Sequence, residues 1–104
     1  MRYVIGRITI RPGKREEFLA KAQTYIAASR ADEGSVYFDI APKPDDPDGL
    51  VMIECWADLA THRAHQTRDY AAAFQPIGAA YILRGEFEEM TVDTVENVVI
   101  DLSP

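Results

Sequence analysis

Apolar and polar residues alternate from Arg2 to Arg11. Val4, Ile8 and Ile10 fall on one side with Gly6, and Tyr3, Ile5, Arg7 and Thr9 fall on the other. A period of two marks a strand. Gly6, with no side chain, marks a bulge or a place where something packs close to the backbone. Pro12-Gly13 ends the run. The period then lengthens: Phe18, Ala22, Tyr25, Ile26 and Ser29 recur at helical spacing, with Lys14, Arg15, Glu16, Glu17 and Lys21 as the wet side. This predicts a helix from about Lys14 to Arg30, stopped by Asp32-Glu33-Gly34 with Gly34 in a left-handed turn.

Alternation returns from Ser35 to Pro42, where Val36, Phe38 and Ile40 oppose Ser35, Tyr37 and Asp39. Pro42-Lys-Pro-Asp-Asp-Pro-Asp-Gly49 has loop composition. It lacks the ordered ligand spacing and terminal glutamate of a calcium-binding EF-hand loop. Leu50 to Trp56 is a third strand. Val51, Ile53 and Cys55 point one way and Met52, Glu54 and Trp56 the other, so both faces carry bulk. Asp58 is placed to cap a helix. Thr67-Arg68-Asp69 breaks it, and Asp69 opens another through Tyr70, Phe74, Ile77, Ala80 and Tyr81. Pro76 should kink or shorten that helix, and Arg84-Gly85 should end it. Glu86 to Val92 reads as a fourth strand. The apolar run from Val98 to Leu102 predicts a fifth strand, or an arm laid on a partner chain, because an unpaired apolar edge is costly.

The order β-α-β-β-α-β predicts an α+β, ferredoxin-like antiparallel sheet with its helices on one face. Tyr3, Ile5 and Tyr37 fall on the other face, and a second copy packed sheet to sheet would cover them, so a homodimer is expected. The 104 residues fit one domain, with its core over about residues 3–92 and residues 93–104 as an arm or extra strand. The net charge of −6 argues against nucleic-acid binding, which needs a basic face, and against anionic membranes. Cys55 is the only cysteine, so no internal disulfide or cysteine-based zinc cage can form. With no signal-like apolar start and no run fit to span a bilayer, a cytoplasmic location is expected.

The stretch Gly6-Arg-Ile-Thr-Ile-Arg-Pro-Gly-Lys-Arg-Glu-Glu-Phe18 resembles the opening of antibiotic biosynthesis monooxygenase domains. So do Ala27-Ala-Ser-Arg-Ala-Asp-Glu-Gly34, the strand with Tyr37 and Asp39, the Pro-Asp-Asp-Pro loop, Glu54-Cys-Trp56, Ala64-His65 and Tyr70-Ala-Ala-Ala-Phe74. The resemblance covers roughly residues 3–92. It implies a dimeric α+β barrel with a pocket between sheet and helices in each protomer. Members of this type include cofactor-independent oxygenases that turn phenols or hydroquinones into quinones, haem degraders, and an isomerase of a quorum-sensing sugar derivative. The haem degraders use an asparagine, a tryptophan and a histidine at positions that align with Gly6, His65 and Gln75 here, and none matches.

In such a pocket the candidate residues are His65, Trp56, Tyr37, Glu54, Tyr70, Phe74 and Tyr81. His65 is the candidate base, since imidazole titrates closest to neutral pH; it reads equally as a half-exposed helix residue. His62 sits three residues earlier and can face the same side. A metal would need a third ligand, and no motif supplies one. Glu54 either orients His65 or pairs with an arginine such as Arg84. The aromatics serve equally as core. No Gly-rich phosphate loop or serine elbow is present. The leading expectation is a cofactor-free oxygenase of a small aromatic molecule. A non-catalytic ligand-binding dimer and an isomerase of a small oxygenated metabolite are the alternatives.

Overall fold

A computed structural model describes all 104 residues. The strands are β1 (Arg2–Ile10), β2 (Ser35–Pro42), β3 (Gly49–Trp56) and β4 (Ile82–Thr91). The helices are α1 (Arg15–Lys21), α2 (Gln23–Ala31), α3 (Leu59–Gln66) and α4 (Asp69–Tyr81). All strand pairs are antiparallel, in the order β2-β3-β1-β4. The fold is therefore ferredoxin-like α+β. The alternation in β1 turns Val4, Ile8 and Ile10 toward the helices, where they pack with Phe18, Ala22, Ile26, Phe38, Leu50, Met52 and Trp56. No helix is long and apolar enough to cross a membrane.

Five local expectations need correction. The first helix is two segments meeting at Ala22. There the Gln23 side chain donates to the Leu19 carbonyl at 2.9 Å, the acceptor that a regular helix would offer to the Gln23 N–H. Val36 leaves the core face and is 53% exposed, because the β2–β3 register shifts between Ser35 and Tyr37. Pro76 sits inside α4 without shortening it, and the helix runs on to Tyr81. Arg84-Gly85 does not stop the helix; it lies within β4, which starts at Ile82 directly after Tyr81. Pairing with β1 overrides the turn signal, and Gly85 admits the Phe87 ring, which a Cβ there would meet at 2.6 Å. Finally, no fifth strand forms: Val98, Val99, Ile100 and Leu102 are at least 79% exposed.

The sheet face away from the helices stays uncovered within the chain. Ile5, Val51 and Ile53 on it are each about two-fifths exposed.

Candidate functional site

A cavity of about 450 Å³ lies between the inner sheet face and the helices. Val4, Ile8, Ile40, Met52, Ile82 and Phe87 form its sheet wall, and Phe18, Tyr25 and Phe74 its helix wall. Tyr25 and Phe74 stack with centroids 4.1 Å apart. One end is polar, lined by Glu54, His62, His65 and Glu89.

Each polar group is placed by ordinary local rules. Glu54 is on β3 between Met52 and Trp56 in sequence alternation, so it points inward with them. α3 begins at a full capping box. The Asp58 carboxylate accepts from the Thr61 N–H at 2.8 Å, and the Thr61 hydroxyl accepts from the Asp58 N–H at 3.4 Å. This anchors the helix start and carries His62 and His65, three residues apart, onto one inward face. Their rings are nearly parallel, with centroids 6.2 Å apart.

His65 is 3% exposed. The Tyr70 hydroxyl donates to Asp32 Oδ2 at 2.7 Å, and Arg68 Nε donates to the same oxygen at 3.2 Å. With its one proton committed, the Tyr70 oxygen can only accept from His65 Nδ1, 2.6 Å away. The Nδ1–H tautomer of His65 follows, and Nε2 presents a lone pair. That lone pair lies 3.2 Å from the Tyr25 hydroxyl and 3.9 Å from Glu54 Oε1. Burial, reinforced by the neighbouring His62, lowers the His65 pKa to about 4.

Glu54 is 5% exposed. Its Oε1 accepts from the Trp56 indole N–H at 2.9 Å. Its Oε2 makes no protein hydrogen bond and is not sealed from the cavity. Burial raises its pKa to about 7, against the lowering effect of the indole bond. Burial lowers the pKa of both imidazoles while it raises that of Glu54, so the 3.9 Å approaches of Glu54 to His62 and His65 are biased away from charged pairing.

The residues singled out from the sequence divide accordingly. Glu54, His65 and Phe74 line the cavity. Trp56 and Tyr70 sit behind it, Trp56 holding Glu54 and lying 4.6 Å from the His65 ring, Tyr70 holding His65. Tyr81 packs on Phe18 and donates to Glu17 at the surface, away from the polar end. Tyr37, named for the pocket although the alternation puts it on the outer face, follows the alternation: it pairs with Cys55 across β2–β3, on the sheet face opposite the cavity. Glu54 has no arginine partner, since Arg84 pairs with Glu86. Sequence reasoning missed Tyr25, which reads as one more member of a core stripe. It also missed Phe87 and Glu89, whose inward placement depends on pairing with Gly6 and Val4 of β1. No group of three or more His, Cys, Asp or Glu is arranged to hold a metal ion.

The family model for antibiotic biosynthesis monooxygenase matches residues 1–76, a span that includes Glu54, His62, His65 and Phe74. YcnE of Bacillus subtilis (strain 168), a provisionally assigned monooxygenase, is 37% identical over 67 residues, covering 64% of this chain and 70% of that protein. The crystal structure of PA3566 from Pseudomonas aeruginosa superposes with a TM-score of 0.79 at 25% identity, covering 89% of this chain and 94% of that one. A Nitrosomonas europaea protein, provisionally assigned to the same family, gives a TM-score of 0.81 at 19% identity over 88% of this chain and 98% of its own.

Proposed function

The chain belongs to the antibiotic biosynthesis monooxygenase family, and from that premise we propose that it is a monooxygenase. Its substrate is a small phenol or hydroquinone-like aromatic, oxidised by dioxygen without a cofactor. The observation that carries this reading is the convergence of Glu54, His62 and His65 on one end of a cavity otherwise walled by apolar and aromatic side chains. Such a cavity holds a flat ring and excludes water.

The proton acceptor in this reading is Glu54 rather than His65. A useful base has a pKa near the working pH. Glu54, raised to about 7, meets that condition, while an imidazole lowered to about 4 is a weak base. Glu54 Oε2 takes the phenolic proton. The phenolate passes one electron to dioxygen, giving a phenoxyl radical and superoxide. These combine at a ring carbon, forming a C–O bond, and the peroxide takes up a proton. Loss of that carbon's C–H proton as the O–O bond breaks leaves a carbonyl, and the released hydroxide leaves as water. The sum is a phenol and dioxygen giving a quinone and water. The protein contributes a base, a donor for the oxyanion and a dry slot.

Sheet-to-sheet pairing of two copies belongs to the same proposal, because it covers Ile5, Val51 and Ile53.

Oxygen uptake measured with hydroquinones, catechols and polycyclic phenols, with no added flavin, haem or metal, tests the function. Substrate-dependent uptake lost in Glu54→Gln is expected. Turnover under strict anaerobiosis would instead mark an isomerase, and binding with no product in air a ligand-binding dimer.

A further inference from the structure

His62 plays no part in the His65 relay, yet it is 2% exposed and held from behind by its own partner. That partner is Arg2, a 7% exposed guanidinium on β1. Arg2 Nε lies 3.1 Å from His62 Nδ1. A second arginine nitrogen donates to Thr91 Oγ1 at 3.2 Å, and a third lies 3.7 Å from the Glu89 carboxylate. A guanidinium has no acceptor and does not deprotonate in proteins. His62 Nδ1 must therefore accept, and it has no room for a proton of its own. The ring proton is confined to Nε2, which points to the polar end of the cavity, 3.9 Å from Glu54 Oε1 and 3.8 Å from Glu89 Oε1.

Across from it, His65 has the opposite arrangement. Its Nδ1–H is spent on Tyr70, and its Nε2 is a lone pair. Two imidazoles, adjacent and nearly parallel, thus turn opposite polarity inward, the His65 lone pair accepting from the Tyr25 hydroxyl at 3.2 Å and the His62 N–H having no such partner.

We propose that Arg2 is a positioning residue that locks His62 as a neutral Nε2–H donor, and that this N–H is the hydrogen bond that receives the oxyanion of a bound phenolate. The proposal rests on the monooxygenase reading for the identity of its ligand, and it names the oxyanion donor which that reading calls for. Deprotonation by Glu54 Oε2 leaves a negative oxygen in a buried site. A neutral N–H stabilises that charge without delivering a proton that would quench it. A protonated histidine would give the phenolate its proton back. The arginine charge behind the ring also makes the Nε2–H a better donor. The lock selects ligands carrying an ionisable ring hydroxyl. An aromatic ether of the same shape can accept this bond but leaves Glu54 with no proton to take.

The tautomers are read directly, apart from any activity. In protein labelled with ¹⁵N-histidine, long-range ¹H–¹⁵N correlation at neutral pH separates the protonated from the bare ring nitrogen. The expected result is a protonated Nε2 for His62 and a protonated Nδ1 for His65. Arg2→Gln should return His62 to a mixture of tautomers while leaving His65 unchanged. The same tautomer for both rings in the wild-type protein would overturn the proposal, whether or not any variant folds.

The oxyanion role is read with 4-nitrophenol, whose bound phenolate is coloured. His62→Leu should weaken phenolate binding about ten- to a hundredfold, as expected for loss of a hydrogen bond to a charge, with 4-nitroanisole binding weakened far less. His62→Gln, which keeps an N–H, should recover part of the loss. Equal phenolate affinity in a folded His62→Leu protein would refute the oxyanion role. Correct tautomers and phenolate binding without oxygen uptake would support the lock while sinking the monooxygenase reading, so the two can fail separately.

Discussion

Glu54 and His65 titrate in opposite senses, and the pair should hide each other in the pH dependence of stability. Burial raises the Glu54 pKa from 4.5 to about 7 and lowers that of His65 from 6.5 to about 4. Between pH 4.5 and 6.5 the folded protein keeps a proton on Glu54 that the unfolded chain releases. Over the same window the unfolded chain binds a proton on His65 that the folded protein refuses. Stability rises with pH wherever the unfolded state holds more protons. His65 alone would therefore make stability rise with pH through this window, and Glu54 alone would make it fall. One proton each way leaves almost no net slope from the pair.

Removing one partner exposes the other. Each uncompensated proton changes stability by about 1.4 kcal/mol per pH unit. Over two pH units, allowing for partial solvent screening of the buried end, the change is about 2 kcal/mol. Relative to wild type, Glu54→Gln should gain about 2 kcal/mol of stability from pH 4.5 to 6.5, and His65→Gln should lose about as much. Other titrating groups are common to all three proteins and cancel in the difference. Urea unfolding at pH 4.5, 5.5 and 6.5, at one fixed protomer concentration, measures the slopes. If both variants track the wild type in parallel to within about 0.5 kcal/mol, the two groups do not carry the opposed shifts argued above, and Glu54 loses its standing as a base near neutral pH.

Trp56→Phe removes the N–H that favours the ionised form of Glu54, so the Glu54 pKa should rise further; the acidic limb of the pH–rate profile should move to higher pH, and an unmoved limb would show that the indole bond is not tuning the base. Gly34 has φ of +79°, and a Cβ there would lie 2.5 Å from the Thr61 side chain of the α3 capping box; Gly34→Ala should cost about 2–4 kcal/mol by denaturant unfolding, from left-handed strain plus overpacking. The uncovered sheet face predicts a homodimer by light scattering at micromolar concentration, and Ile53→Glu should yield monomers; a wild-type monomer would remove the argument that a second copy covers Ile5, Val51 and Ile53.

The frame of this fold was legible because it depends on period. β1 and β3 alternate cleanly, so spacing alone groups Val4 with Ile8 and Met52 with Glu54, although both faces of β3 carry bulk and only the fold shows which is inward, and Asp58 announces the start of α3. The failures fall where a tertiary contact outweighs a local signal. Gly85 reads as a turn, yet it is a strand residue because Phe87 needs the space above it and β1 supplies the partner. Val36 fits the alternation of β2, yet one register slip against β3 turns it outward. The site was half legible for the same reason. Its acid and its second histidine follow from β3 and α3 taken singly. The choice between them as base does not, because it rests on how deeply each is buried and on the indole, imidazole and carboxylate groups that other elements bring beside it. Arg2 is the extreme case. It is separated from His62 by sixty positions, and in sequence it is a charged residue at the edge of a strand. Alternation puts it on the Val4 face, but only the pairing of β1 between β3 and β4 and the packing of α3 bring Thr91, Glu89 and His62 around it, where its fixed charge decides which nitrogen of His62 carries the proton.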